Sequence, residues 1–491
     1  MNLFVPLTRH ATAHPEKVCV HCEDYGPLTY GELLRKSGQY ANALQALGVA
    51  PGDRVAAKTE KGVASLLLYL AVLRAGGVYL PLNTGYTPAE IEYFVGDASP
   101  RLLVCPQSQQ EILTTVVKKM PGTQLATLEA DGGSSLETLA DAQSEDFFTV
   151  EKLSDDLAAI LYTSGTTARP KGAMITHGNL ESNTRALTET WRYRAEDRLI
   201  HALPIFHTHG LFVACNLTLF NGASMYFMNK FDEAMVMDLM DKATVLMGVP
   251  TFYIRLLANE RFNADIAAPM RLFISGSAPM TEEVHKAFLA RTGKQVLERY
   301  GMTEANMITS NLYHRRVIGS VGPALPGVEV RVRNTEDGLE CEPGQAGMIE
   351  IRGDNLFMGY WNMPEKTAED FTEDGFFITG DLGVLAEDGF LSIVGRSRDL
   401  VITGGYNVYP KEVEQRLDEL PGVRESAVVG VAHADLGEAV FAIVIPDGST
   451  KLDVEQLRGA LREQLAGYKV PKKIVLMDEL PRNTMGKVQK N

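Results

Sequence analysis

One segment concentrates the groups that can hold a polyphosphate: Thr163-Ser164-Gly165-Thr166-Thr167-Ala168-Arg169-Pro170-Lys171-Gly172. Small residues let backbone N–H groups approach an anion, hydroxyls add donors, and Arg and Lys add charge. The apolar run Leu157 to Leu161 precedes it and reads as a buried strand, and a helical pattern follows from about Gly178. Strand, glycine-rich loop and helix is the order a phosphate site needs. The spacing is not that of a Walker P-loop, since no G-x-x-x-x-G-K-[ST] is present. Taken by itself, the segment also fits a solvated turn with two basic residues. His207 and His209, spaced by one, do not make a catalytic metal site without further ligands.

The rest of the chain must position this loop. It has 491 residues, 45% hydrophobic and 22% charged, which is ordinary for a globular protein but too long for one core. The 47 basic and 62 acidic residues leave a net charge of −15. That balance argues against nonspecific nucleic-acid binding and makes any polyphosphate site a local basic patch on an acidic body. Five cysteines without framework spacing indicate a reducing compartment, so a cytoplasmic location is expected. Cys19-Val20-His21-Cys22 imitates a metal motif but reads better as a short strand, with no second cysteine pair at zinc spacing. The first residues lack a basic region followed by an apolar core, and the run Leu66 to Leu73 is far short of a membrane span.

Thr29-Tyr30-Gly31-Glu32 is a capping box that opens a helix ending at Gly48. Val63 to Ala75 is a second helix, stopped by Gly76-Gly77. Thr87-Pro88-Ala89-Glu90 starts a third with Pro in its first turn. Val78 to Leu80 and Leu102 to Cys105 are strands. Strands alternating with helices predict a mostly parallel α/β sheet. After Gly395-Arg396 the scale changes. Helices at about Tyr409 to Leu420 and Val454 to Leu465, with strands near Ser426 to Val431, Val440 to Ile445 and Ile474 to Met477, predict a compact α+β unit. The boundary falls at Arg396 to Asp399.

Taken in order, the phosphate loop, Tyr300-Gly301-Met302-Thr303-Glu304, Thr379-Gly380-Asp381, Gly395-Arg396-Ser397-Arg398-Asp399, Gly404-Gly405-Tyr406-Asn407-Val408-Tyr409-Pro410 and Pro481 to Lys487 resemble the signature segments of the adenylate-forming superfamily. That superfamily includes acyl-CoA synthetases, luciferases and peptide-synthetase adenylation domains. The resemblance covers essentially the whole chain. It implies a large N-terminal ATP- and acyl-binding domain, residues 1–396, and a small mobile C-terminal domain, residues 397–491, hinged at Arg398. The family usually continues a little beyond the position of Asn491. The implied partners are small molecules, ATP, Mg²⁺ and coenzyme A, on a monomer or weak homo-oligomer.

The resemblance also implies roles. Thr163, Ser164, Gly165, Thr166 and Thr167, with Lys171 beyond them, hold the β- and γ-phosphates. Glu304 ligates Mg²⁺, a hard cation suited to carboxylate and phosphate oxygens. Thr303 meets the α-phosphate, while Tyr300, with Gly301 and Met302, lines the adenine pocket. Asp381 binds the ribose hydroxyls, and Arg396 meets ribose or phosphate. Lys487 bridges the attacking carboxylate and the α-phosphate, and Lys490 beside it reads as a surface residue. Gly404 and Gly405 flank the coenzyme A path. His207 sits beside the acyl carboxylate and positions it; a carboxylate already ionised needs no base. The family usually has Gly at the position of Ala168; a positive φ there would strain Ala by roughly 1–2 kcal/mol.

The acid is the open question. The segments nearest the acyl pocket, Gly248 to Arg255 and Ser275 to Pro279, offer an Arg and two serines. A fixed guanidinium suits a second carboxylate. These segments, with Leu297 to Glu304 and Arg482 to Asn491, resemble malonyl-CoA synthetases. The expectation is ligation of malonate, or methylmalonate beside it, to coenzyme A, with Arg255 and Ser277 holding the far carboxylate and Arg271 as the competitor. The alternatives are a short-chain monocarboxylate or aryl-CoA ligase, and a non-catalytic nucleotide-binding protein on the same fold.

Overall fold

The computed structural model describes residues 1–130, 133–163, 170–403, 406–433, 436–465, 467–483 and 486–490. Two large sheets form the N-terminal body. The six-stranded sheet runs in the order Gln124–Thr127, Leu102–Cys105, Arg54–Ala57, Val78–Pro81, Leu157–Thr163, Lys171–Thr176. Its pairs are parallel except the last. The eight-stranded sheet runs Asn306–Ser310, Val296–Met302, Leu272–Ser275, Val245–Gly248, Arg198–His201, Ser224–Phe227, Val18–Cys22, Gly26–Thr29. It is parallel inside and antiparallel at its two edges.

The helix Val63–Arg74 is buried at every residue. It shares one apolar core with strand residues of both sheets, Val55 and Leu199 among them. A helix apolar all round needs such packing on every side. The capping boxes at Thr29 and Thr87 form as the sequence predicts: each hydroxyl accepts from the third helical N–H, and Glu32 and Glu90 accept from the cap N–H in return. Cys19 lies in the strand Val18–Cys22, and burial pushes its thiol above the usual range.

A third sheet is wholly antiparallel: Val328–Arg333, Ala346–Gly353, Phe377–Leu385, Leu391–Arg396. The expectation of alternating strands and helices did not include it. Its first strand is half-exposed along most of its length, which antiparallel sheets tolerate on one face. After its last strand the chain passes through the 3₁₀ turn Ser397–Asp399 into a five-stranded sheet built from Val401–Thr403, Tyr406–Val408, Val423–His433, Gly437–Pro446 and Lys473–Leu476. The helices Pro410–Asp418 and Val454–Gln464 pack on it around Val413, Leu417, Leu457 and Leu461. Among the described residues no helix is long and apolar enough to cross a membrane.

Arg271 has a structural partner. Its Nε donates to Asp197 Oδ1 at 2.6 Å, and its Nη2 pairs with the other oxygen of a carboxylate that is 0% exposed. Removing one member of a buried pair strands the other charge, at roughly 3–5 kcal/mol. Arg271→Ala is therefore expected to lose about that much stability in urea denaturation while keeping the wild-type preference among acids.

Candidate active site

The residues singled out by motif converge at the ends of three sheets. Asp381 and Arg396 are direct cross-strand partners in the antiparallel sheet. Arg396 Nε lies 3.0 Å from Asp381 Oδ1, and Tyr300 Oη donates to Asp381 Oδ2 at 2.6 Å. Burial first, then this carboxylate, holds the Tyr300 phenol well above its usual range, so it stays a donor. Asp381 N donates to Thr379 Oγ1 at 3.0 Å, which fixes the turn. A buried carboxylate flanked by a phenol and a guanidinium is suited to accept from a sugar diol.

Glu304 follows the strand Val296–Met302 and is buried. Tyr360 Oη donates to its Oε1 at 3.0 Å. Burial raises the carboxyl pKa, so an incoming cation would relieve an unfavourable buried charge. That environment fits Mg²⁺, held by Glu304 together with the phosphates it accompanies. The buried Lys171 ammonium stands 4.0 Å from the Tyr360 ring centroid and 3.4 Å from Asp370 Oδ2. Tyr360 and Asp370 thus link Lys171 to Glu304. They carry no motif signal, because they are brought together only by the fold. Thr163 ends its strand, with Oγ1 3.5 Å from Lys171 O. Ser164, Gly165, Thr166, Thr167 and Ala168 lie outside the described residues, as do Gly404 and Gly405 and the side chain of Arg398.

His207, His209, Ser277 and Arg299 form a second group, the candidate acyl end. His207 Nδ1 accepts from His209 N at 3.2 Å, so the ring proton resides on Nε2. Burial, Arg299 and Lys487 push His207 down to about 4. It is a neutral donor at physiological pH. His209 Nδ1 lies 3.2 Å from Ser277 Oγ, and Ser277 has a φ of 70°. A serine held in that left-handed conformation is locally strained, as residues at ligand sites often are. The Arg299 side chain crosses the face of Gly276. A Cβ built there would lie 2.4 Å from Cζ, so only glycine leaves room. Arg299 is 4% exposed, its Nε and Nη2 have no hydrogen-bond partner, and burial pulls it down to about 9. Its neighbour Glu298 is engaged elsewhere, with His285 Nε2 at 3.0 Å and Met280 N at 3.1 Å.

Arg255 stands apart from this group. It lies on the exposed face of the helix Pro250–Ala258, beside exposed Ile254. Three to four residues separate neighbours on one helix face, and Tyr253 and Leu256 hold the buried one. Sequence spacing does not tell which face of this helix points inward. Arg299 directly precedes Tyr300 and its motif, so its place in the sequence does not single it out for the acid. Its signal was an adjacent charged pair, Glu298 and Arg299, inside the strand Val296–Met302.

The C-terminal unit closes over the site. Gln415 Nε2 donates to Glu282 Oε1 at 3.0 Å, and a Cβ on Gly486 would lie 3.6 Å from Thr251. Lys487 sits in a hairpin where Asn483 N donates to Lys487 O at 2.9 Å and Gln489 N to Pro481 O at 2.8 Å. Lys490, expected at the surface, pairs with the buried Glu414.

The AMP-binding enzyme family model matches residues 7–361, and the AMP-binding enzyme C-terminal domain model matches residues 412–487. The chain belongs to the AMP-binding enzyme family. A malonate–CoA ligase of Arabidopsis thaliana is 36% identical, covering 100% of this chain and 88% of its own length. A feruloyl-CoA synthase of Amycolatopsis is 35% identical over 94% and 92%. ATP-bound MatB from Rhodopseudomonas palustris is 54% identical over 100% and 97%, with a TM-score of 0.97. The apo form of that protein superposes at 0.88, so this AMP-binding enzyme is arranged more like the nucleotide-bound state.

That arrangement brings Lys487 to the acyl end, where its charge reaches His207. Lys487→Ala is expected to slow acyl-adenylate formation by roughly 100-fold or more. Thioester formation from supplied acyl adenylate should be spared. Single-turnover measurement of both half-reactions checks this, and equal loss in both would remove Lys487 from its role.

Proposed function

We propose that the protein joins malonate to coenzyme A at the expense of ATP, releasing AMP and pyrophosphate. One carboxylate oxygen of malonate attacks the α-phosphorus and pyrophosphate leaves. The coenzyme A sulfur then attacks the acyl carbon, and AMP leaves. The observation that carries the choice of acid is Arg299: a buried guanidinium at the acyl end with Nε and Nη2 unpaired. A monocarboxylate would leave it so. A second carboxylate offers two acceptors to its planar fork and completes it. The near equality of the malonate and feruloyl relatives, 36% and 35%, makes this local chemistry more informative than overall identity.

The other groups divide the work. Lys487 and the neutral His207 face the reacting carboxylate, one supplying charge and the other an N–H donor. Ser277 acts through His209 as well as toward the acid. Tyr300, Asp381 and Arg396 hold the nucleoside. Mg²⁺ on Glu304 neutralises phosphate charge when bound. Rotation about Arg398 would exchange Lys487 for the Gly404-Gly405 face in the second half-reaction.

A coupled AMP-release assay with malonate, methylmalonate, acetate, butyrate and benzoate tests the reading; malonate should give the highest kcat/KM, and preference for butyrate or benzoate would overturn it. Arg299→Gln should lower kcat/KM for malonate by about 30- to several-thousand-fold, the consequence of roughly 2–5 kcal/mol for an unpaired buried charge, and should hold or raise that for butyrate. Arg255→Ala should leave both within about twofold. A parallel fall on both acids in Arg299→Gln would remove it from the pocket.

A further inference from the structure

A second buried cation lies deeper than the site. Lys61 occupies the turn between the strand Arg54–Ala57 and the buried helix Val63–Arg74, at the carboxyl end of the six-stranded sheet. It is 8% exposed. Its Nζ crosses to the other large sheet. There it donates to His201 O at 2.7 Å and to His201 Nδ1 at 3.1 Å, at the carboxyl end of the strand Arg198–His201. Its ammonium also lies 4.3 Å from the Phe227 ring centroid. The charged or ionisable groups that act on it electrostatically are the thiols of Cys215 and Cys22 and the His201 ring; no carboxylate is among them. Burial accordingly pulls Lys61 down to about 7 and holds His201 well below its usual range.

His201 passes this anchorage onward. Its Nδ1 also accepts from Leu203 N at 3.3 Å, so the ring proton is on Nε2. Nε2 donates to Gly210 O at 2.8 Å and lies 3.3 Å from Cys215 Sγ. Gly210 and Cys215 belong to a π-helical segment, His209–Cys215. Such segments are rare, since their hydrogen bonds span one residue more than those of an α-helix. The turn leading into it is tight: a Cβ on Gly210 would lie 2.0 Å from Pro204 O. The same turn carries His207 and His209 to the acyl end.

We propose that Lys61 and His201 are positioning residues for the acid: together they pin the π-helical segment and so fix where His207 and His209 meet the substrate. The nucleotide side, built on Tyr300, Asp381 and Arg396, does not touch this pin. Loosening it therefore acts on one substrate and not the other.

The inference rests on malonate as the acid, so wild-type malonate turnover is the first measurement; its absence would sink that reading before the pin is tested. With turnover established, His201→Leu removes both ring contacts, while His201→Gln keeps an acceptor for Lys61 and a donor for Gly210 O. His201→Leu should raise KM for malonate roughly 10- to 100-fold, the scale of an ångström-level misplacement remote from the chemistry. KM for ATP should stay within about twofold, and His201→Gln should recover most of the loss. Lys61→Gln, which retains one donor at shorter reach, should fall between. If His201→Leu is insoluble, Lys61→Gln carries the test through the same split of KM values. Malonate and ATP KM rising together, or unchanged malonate KM in both soluble variants, would overturn the proposal.

Discussion

Arg299 keeps a cation inside the protein with two of its nitrogens unpaired, and the arrangement around it follows from that constraint. A buried guanidinium without an acceptor is unfavourable. The fold tolerates it by laying the side chain across Gly276 and by engaging Glu298 with His285 and Met280 instead. In the proposed reading, the acid supplies the missing acceptors. On that reading, selectivity for a dicarboxylate comes from a buried guanidinium whose unpaired donors the second carboxylate fills.

Cations elsewhere in the body show the contrast. Arg271 is fully matched by Asp197, and Arg331 by Glu350 and Asp374. These pairs hold strands and loops together and leave no acceptor to be filled. Arg299 and Lys61 are buried cations without a carboxylate partner, as are Lys58, held by Gln109, and Arg74, held by Ser37 and two backbone carbonyls. In the proposed reading Arg299 faces the acid, and Lys61 faces the segment that carries His207 and His209. Asp381 is paired with Tyr300 and Arg396, whereas Nε and Nη2 of Arg299 have no partner.

The hairpin of Lys487 comes from a different domain from the one that binds the acid. The C-terminal unit lies against the helices bearing Thr251 and Glu282. With the proposed rotation about Arg398, a charge on the small unit is withdrawn after the first half-reaction, which a residue on the main body cannot do. The small polar contacts across this boundary, such as Gln415 with Glu282, are weak enough to exchange.

Local patterns were legible without the fold. Capping boxes at Thr29 and Thr87, the apolar helix Val63–Arg74 and the motifs around Tyr300, Asp381 and Lys487 depend on neighbours close in sequence, and their physics is local. The family and its nucleotide chemistry follow from those motifs. The acid pocket was not legible in the same way. Arg255 and Arg299 are both arginines beside expected pocket segments, and only packing shows that one points to solvent and the other across Gly276. The antiparallel sheet from Val328 to Arg396, the link of Lys171 through Tyr360 to Glu304 and the pin of Lys61 on His201 join residues far apart in the chain. Sequence specifies which charges exist; which of them are buried, and which are left without a partner, is decided only when distant elements pack together.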